Sequence, residues 1–173
     1  MGFPRVKIAV ADAGPLIHLD EIRALTLLCL FEALHIPDAV WEETVGKGRV
    51  TPENLKRLRN ISRHSLDRES VRSFIRERRL YHLQAGEIEC LYLCLEKGIP
   101  VLLTDDLAVR DAAKRMGVTP VGSLGVVVKA YRSGLISLEE AGQKIKELYE
   151  VSSLFVTRAI VEIAIEQLYK KAR

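Results

Sequence analysis

The sequence predicts an α/β domain of three layers, α/β/α, with a short parallel β-sheet in the middle. Two stretches, residues 6–11 and 99–106, carry this prediction: each is a short apolar run that ends in a carboxylate and precedes a helical pattern. An uninterrupted apolar run is typical of a strand that is buried on both faces by covering helices. If both strands lie in one parallel sheet, their carboxyl ends meet at the edge where α/β proteins bind ligands.

The length of 173 residues indicates a single domain, with a basic helical insertion around residues 47–80 and a C-terminal helical extension around 137–173. No apolar run approaches the roughly 18 residues that a membrane span requires, and the N-terminus lacks the apolar core of a signal peptide. These features predict a cytoplasmic protein with no membrane partner. The three cysteines have neither disulfide-framework nor zinc-site spacing and are expected to be buried thiols.

The first half of the chain has a helix–strand–helix pattern after the first strand. Gly14 and Pro15 precede a helical segment whose apolar stripe continues to Phe31, and residues 34–37 form a second strand. Asp12 stands just before the first helix, so its carboxylate has two open interpretations, helix capping and ligand binding.

Two acidic residues on helices are predicted to face the same sheet edge. Glu43 follows Val40 by three residues on a short helix that Asp38 caps, which places it on the inward side, whereas Glu42 points to solvent. Glu87 precedes Leu91 by four residues, at the start of the buried stripe of the next helix.

The second half of the chain predicts alternating helices and strands. In order, we expect a helix over residues 83–97 that Gly98 ends, a helix after Asp106, a strand around 118–122 and a helix over 123–133. A capping box at Ser137 starts another helix, and the last runs from about Ser153 to Lys171.

The segment from residue 47 to residue 79 is strongly basic. It holds 11 Lys and Arg against 4 Asp and Glu, a net +7, which leaves −4 for the rest of a chain whose net charge is +3. Thr51 and Asp67 each precede a helix, so we expect a helical pair that projects from the sheet. Its charge fits either solvated helix faces or a phosphate-binding surface, for which the candidates are Lys56, Arg57, Arg59, Arg63, Arg72 and Arg76.

Three other classes of α/β protein are disfavoured. A response-regulator receiver domain pairs two acids after its first strand, where this chain has Asp12 alone. A dehalogenase-type phosphatase needs D-x-D at that place, and residue 14 is Gly14. The chain also lacks a glycine-rich phosphate loop, so nucleotide hydrolysis by that route is unexpected.

The order of the acids resembles that of the PIN-domain nucleases. The matching features are Asp12 after the first strand, Glu43 in P-D-A-V-W-E-E, Glu87 in G-E-I-E, and T-D-D at residues 104–106. The tail G-V-T-P-V-G-S-L-G-V-V-V-K-A-Y-R-S-G-L-I-S is similar to a prokaryotic PIN subfamily, the DUF3368 group, which is related to the VapC-type toxins. The resemblance covers nearly the whole chain.

The resemblance implies a PIN-like fold and a metal-dependent ribonuclease that cuts single-stranded RNA. Its implied catalytic residues are Asp12, Glu43, Glu87, Asp106, Asp105 and Thr104, and its implied metal ligands are Asp12, Glu87, Asp106 and Asp105. Clustered carboxylates cannot all stay ionised without a cation, and their hard oxygens suit Mg²⁺ or Mn²⁺. Which of Asp105 and Asp106 is the fourth acid stays open, and Arg110 is expected to pair with one of them.

The resemblance also implies partners. RNA is the expected substrate, an antitoxin protein is the partner if the gene is half of a toxin–antitoxin pair, and a two-fold homodimer is expected. The last helix supplies the candidate dimer surface with Leu154, Ile160, Ile163 and Ile165. The alternative function is a catalytically inactive PIN-like module that binds nucleic acid or protein. The four histidines have no metal-ligand spacing and are expected to be structural or exposed.

Overall fold

A computed structural model describes residues 8–170, and it confirms the predicted α/β/α fold with a parallel sheet. Residues 6 and 7, which were expected to begin the first strand, lie outside the described residues, as does Lys171 at the expected end of the last helix. None of the helices in the described part of the chain is long and apolar enough to span a membrane.

The strands form one sheet in the order β3-β2-β1-β4-β5, and all neighbours are parallel. They are β1 (Ile8–Ala11), β2 (Ala33–Pro37), β3 (Ile61–His64), β4 (Val101–Leu103) and β5 (Thr119–Val121). The α-helices of the described residues are α1 (Ala13–Glu21), α2 (Asp38–Trp41), α3 (Pro52–Lys56), α4 (Arg68–Arg78), α5 (Ala85–Lys97), α6 (Leu107–Arg115), α7 (Ser123–Arg132), α8 (Leu138–Glu150) and α9 (Arg158–Tyr169). A 3₁₀ helix (Leu25–Leu30) and a π-helical turn (Glu42–Gly46) complete the helical elements.

The sheet has its topological switch point between β1 and β4. The chain leaves β1 toward β2 on one side and leaves β4 toward β5 on the other, so the loops after β1 and β4 diverge and leave a crevice between them. The two strands are held in register by the pair Val10 and Leu102, and the backbone N–H of Asp12 donates to the carbonyl of Leu103 (2.9 Å). Asp12 therefore lies beside the end of β4.

Burial of the central strands explains their apolar sequence. Ala9, Val10 and Ala11 of β1 and Leu102 and Leu103 of β4 are fully buried. Helix α5 contacts β1, β2 and β4, whereas α7 packs against α1, α8 and α9. Helices thus enclose the sheet, which is why these strands show no polar alternation.

The helix expected to continue to Phe31 instead ends early. Arg23 adopts a left-handed conformation (φ 54°), and the N–H of Ala24 donates to the carbonyl of Leu19 (2.8 Å). This is the hydrogen bond of a Schellman motif, which closes α1 before the 3₁₀ helix begins. Such a motif usually has glycine at the left-handed position, so an arginine there gives no sequence signal. The prediction that all three cysteines are buried thiols is confirmed for Cys90 and Cys94, but it is wrong for Cys29, which is exposed in the 3₁₀ helix.

The basic segment contains a strand between its two helices. Thr51 and Asp67 cap α3 and α4 as expected, but β3 pairs with β2 at the sheet edge, with Ile61 opposite Leu34. The expected projecting helical pair is therefore tied to the sheet by this edge strand. Upstream, Pro37 rather than Asp38 occupies the N-cap of α2.

The last helix begins later than expected. Thr157 is the N-cap of α9, and its hydroxyl accepts from the N–H of Ile160 (3.4 Å). Residues 153–156 are a loop, because the backbone N–H and the hydroxyl of Ser153 donate to the carboxylate of Glu21 instead of starting a helix (2.7 and 2.8 Å).

Candidate functional site

A cleft of about 320 Å³ opens at the carboxyl ends of β1 and β4, the switch point of the sheet. Five carboxylates line it, those of Asp12, Glu43, Glu87, Asp105 and Asp106, together with Ala13, Gly14, His18, Gln84, Ser153, Leu154 and Phe155. The structure thus brings to one cleft all the acids that the sequence analysis selected.

Asp12 is buried at the end of β1, where it is the N-cap of α1. Its Oδ1 accepts from the N–H of Ala13 (2.8 Å) and its Oδ2 from the hydroxyl of Thr104 (3.1 Å). The pKa of Asp12 is raised from its ordinary 3.8 to about 7, mainly by burial and in smaller part by the charges of Glu87 and Glu43, which together outweigh the lowering effect of these two hydrogen bonds. Asp12 therefore both caps α1 and lines the acidic cleft.

Asp105 is fixed by three contacts. Its Oδ1 accepts from the N–H of Ser123 (2.7 Å), and its Oδ2 accepts from the Ser123 hydroxyl (2.6 Å) and lies 2.7 Å from Nδ1 of His18. A Cβ at Gly122 would lie 2.8 Å from Oδ1, so only glycine leaves room for this arrangement. Both oxygens of Asp105 are thereby engaged within the protein.

Asp106 is more open than its neighbour. It is exposed at the N-cap of α6, where its Oδ1 accepts from the N–H of Val109 (3.0 Å). Within residues 8–170 its Oδ2 accepts no hydrogen bond. The Thr104 hydroxyl accepts from the backbone N–H of Asp106 (3.3 Å) while donating to Asp12, so Thr104 links the two acids.

The expected ion pair of Arg110 with Asp105 or Asp106 is absent within the described residues, and that prediction is wrong. The guanidinium Nη1 of Arg110 donates instead to the backbone carbonyl of Thr104 (3.2 Å). The reason is the competition for Asp105, whose oxygens are taken by Ser123 and His18.

Glu87 and Glu43 enter the cleft from two elements that pack closely. Oε2 of Glu87 accepts from the N–H of Gln84 at the start of α5 (2.8 Å). Partial burial raises the pKa of Glu87, and the charges of Asp106 and Glu43 add to this effect. The two elements approach closely at Gly86, where a Cβ would lie 3.4 Å from Oε2 of Glu43.

The carboxylates suit a hard cation by their chemistry, but they are not arranged around one. Among residues 8–170, no three His, Cys, Asp or Glu side chains are placed so that they could hold a metal ion. Asp12, Glu87, Asp105 and Asp106 each accept a hydrogen bond from a nearby N–H or hydroxyl. All the candidate ligand atoms are carboxylate oxygens, and the charges of neighbouring acids raise the pKa of Asp12 and of Glu87. A bound Mg²⁺ or Mn²⁺ ion, which prefers oxygen ligands, would neutralise this negative charge.

Three features at or beside the cleft were missed in the sequence. His18 was expected to be structural or exposed, yet it lines the cleft four residues after Gly14, and that helical spacing was the available signal. Ser123 begins α7 beneath Asp105, and residues 153–155 come from a loop, for which no periodicity exists. Of the other histidines, His35 and His64 contact each other across β2 and β3 (2.7 Å), and His82 is exposed.

The basic side chains are exposed, but they are not equally free. Arg63 pairs with Asp38 and Glu42, and its guanidinium lies 4.9 Å from the ring centroid of Trp41. Arg72 and Arg76 both pair with Glu69. Lys56, Arg57 and Arg59, at and after the end of α3, make no ion pair with any described residue. The unpaired positive charge of the six candidates therefore lies at these three residues.

The chain matches a known family model. The family model DUF3368, described as a PIN domain, matches residues 8–170. No curated protein is significantly similar to the chain.

Proposed function

The chain belongs to the PIN-domain family, whose members are generally nucleases, and we propose that it is a metal-dependent endoribonuclease acting on single-stranded RNA. The observation that carries this proposal is the cleft with five carboxylates at the switch point of a parallel sheet. Hydrolysis of a phosphodiester at such a site needs no side-chain nucleophile, and no Cys of the described residues lines the cleft.

Within this proposal the acids have different roles. Asp12, Glu87 and Asp106 are the ligands of Mg²⁺ or Mn²⁺, with Glu43 beside them and Thr104 positioning Asp12 and Asp106. A bound metal ion would polarise the scissile phosphate and activate a water molecule for in-line attack.

Asp105 has a supporting role in the same proposal. Its Oδ2 has two partners, the Ser123 hydroxyl and Nδ1 of His18, and its Oδ1 accepts from the N–H of Ser123, so this side chain orients the wall of the cleft. Oδ2 of Asp106, by contrast, accepts no hydrogen bond from a described residue and is the more available oxygen. The fourth acid of the family pattern is therefore assigned to Asp106.

A toxin role with an antitoxin partner is the finer form of the proposal. It draws on the relationship between the DUF3368 group and VapC-type toxins. A neighbouring short gene that encodes a DNA-binding N-terminus and a tail that binds this chain would support it.

A catalytically inactive PIN-like module is the second candidate, and one observation favours it. Among the described residues, no three acidic, His or Cys side chains are placed so that they could hold a metal ion. Such a module would bind nucleic acid or protein without cutting it.

Cleavage of a labelled RNA separates the two candidates. A 5′-labelled single strand is incubated with the chain in Mn²⁺, in Mg²⁺ and in EDTA, and the products are resolved by length. The variant Asp12→Asn removes a buried charge at the cleft, and Glu42→Gln is the matched control, since that side chain is 68% exposed and binds Arg63.

The nuclease proposal predicts cuts that need the metal, that Asp12→Asn abolishes and that Glu42→Gln retains. An intact strand under all metal conditions, or equal cutting by Asp12→Asn and the parent, would refute it.

A further inference from the structure

An exposed aromatic ring stands at the acidic cleft. Phe155 is 95% exposed, and it lines the same cleft as Asp12 and Glu87. A phenyl ring does not coordinate a cation as carboxylate oxygens do, but an exposed ring is a surface on which a flat apolar group can stack.

The loop that carries Phe155 is held in place. On one side, the backbone N–H and the hydroxyl of Ser153 bind the carboxylate of Glu21 (2.7 and 2.8 Å), and Leu154 is buried in the core. On the other side, Thr157 caps α9. Phe155 is therefore presented outward by an anchored segment, so the backbone that carries the ring needs little further ordering when a ligand binds.

Two further exposed apolar side chains come from segments that build the cleft. Leu107 is 75% exposed and directly follows Asp106. Tyr81 is 72% exposed and precedes Gln84, a residue of the cleft wall, by three positions. The acids of the cleft thus have one exposed ring beside them, that of Phe155, while Leu107 and Tyr81 lie close in sequence to residues of the cleft wall without lining it. A polynucleotide carries parts that match both kinds of group, phosphates for a cation held by the acids and base faces for the ring.

We propose that Phe155 is a stacking platform for one base of a single-stranded nucleic acid whose neighbouring phosphate lies at the carboxylates. The inference rests on the proposed function, because it places the substrate strand in this cleft. A base that stacks on a side chain must first leave its own helix, so this contact selects single strands over duplexes. Phe155 is therefore a specificity-determining residue that contacts the substrate.

The first test is kinetic. Phe155→Ala is expected to lower kcat/KM for a single-stranded RNA by at least about fivefold, the loss typical of one base stack. Phe155→Trp restores it, because indole also stacks. Tyr169→Ala is the matched control, since Tyr169 is an aromatic residue of α9, 58% exposed, that does not line the cleft.

The second test does not depend on cleavage. RNA strands with 2-aminopurine at one position are titrated with Asp12→Asn protein, and with the same protein carrying Phe155→Ala. Stacking predicts quenching of 2-aminopurine at one or two adjacent positions, which the Phe155→Ala change removes.

The outcomes separate this inference from the nuclease proposal. Quenching that depends on Phe155, without cleavage by the parent, supports the stacking role and refutes the nuclease. Cleavage at the parental rate by Phe155→Ala, with unchanged fluorescence, refutes the stacking role and leaves the nuclease. A change from dimer to monomer in Phe155→Ala, with no quenching by either protein, shows that the ring contacts a second copy and also overturns the inference.

Discussion

Replacing Asp12 by asparagine removes a carboxylate that is costly to ionise in the metal-free protein. Burial raises its pKa from 3.8 to about 7, a difference worth about 4 kcal/mol at roughly 1.4 kcal/mol per pKa unit. Between these two values the folded protein holds a proton that the unfolded chain has released. The contribution of Asp12 to stability is therefore most favourable below pH 4, is lost as the pH rises to about 7, and is constant above that pH.

The asparagine of the Asp12→Asn variant has no such titration, while its amide oxygen can still accept from the N–H of Ala13. The stability of Asp12→Asn relative to the parent is thus expected to increase by about 1.4 kcal/mol for each pH unit between about 5 and 7, and then to level off. Urea unfolding in EDTA at several pH values measures the free energy of unfolding of each protein. Because every other titrating group that behaves alike in the two proteins contributes equally to both values, the difference between them reports on Asp12.

The control for this measurement is Glu42→Gln, which removes one carboxylate from an exposed position. Its stability difference from the parent is expected to stay small over the same pH range. A pH-independent difference for Asp12→Asn would show that Asp12 ionises in the folded protein as freely as in water, and would refute the reasoning from burial.

Three further predictions concern the basic surface, the exposed face of α9 and the neighbouring acids Asp105 and Asp106. Arg57→Gln with Arg59→Gln should lower the slope of log K against log salt for single-stranded RNA by about 1.4, about 0.7 for each phosphate contact; an unchanged slope excludes these contacts. The parent is expected to be a dimer by light scattering, and Ile163→Glu, at a side chain of α9 that is 54% exposed, should convert it to a monomer. A molar mass of 19.4 kDa for the parent at high concentration would rule the dimer out. Asp106→Asn should abolish Mn²⁺-dependent cleavage without lowering the melting temperature. Asp105→Asn should lower the melting temperature, because the Asp105 carboxylate contacts Ser123 and His18. The reverse pattern would assign metal binding to Asp105 and the structural contacts to Asp106.

The fold was predictable where burial alone dictates the sequence. The central strands β1 and β4 are covered on both faces, so they appear as unbroken apolar runs that end in acids. The strand β3 was not predictable in this way, because at the sheet edge Ser62 and Arg63 are exposed. The end of α1 was hidden for a different reason, since Arg23 takes a backbone conformation that usually signals glycine.

The acids of the cleft were predictable from their positions after strands and at the start of a buried helical stripe. The sequence could not show which side chains bind each carboxylate of the cleft. The contacts of Ser123 and His18 with Asp105 join residues 18 and 87 positions apart, and they distinguish this acid from Asp106. Phe155 reaches the cleft from a loop that is fixed by Glu21, a contact across 132 positions.

The central claim, that the cleft binds a divalent cation, is tested most directly by titrating Mn²⁺ into the protein and following free Mn²⁺ by its electron paramagnetic resonance signal. We expect one or two ions to bind each parental chain, with binding weakened by Asp12→Asn and by Glu87→Gln and retained by Glu42→Gln. A free Mn²⁺ signal that is the same with and without the parental protein would contradict the claim.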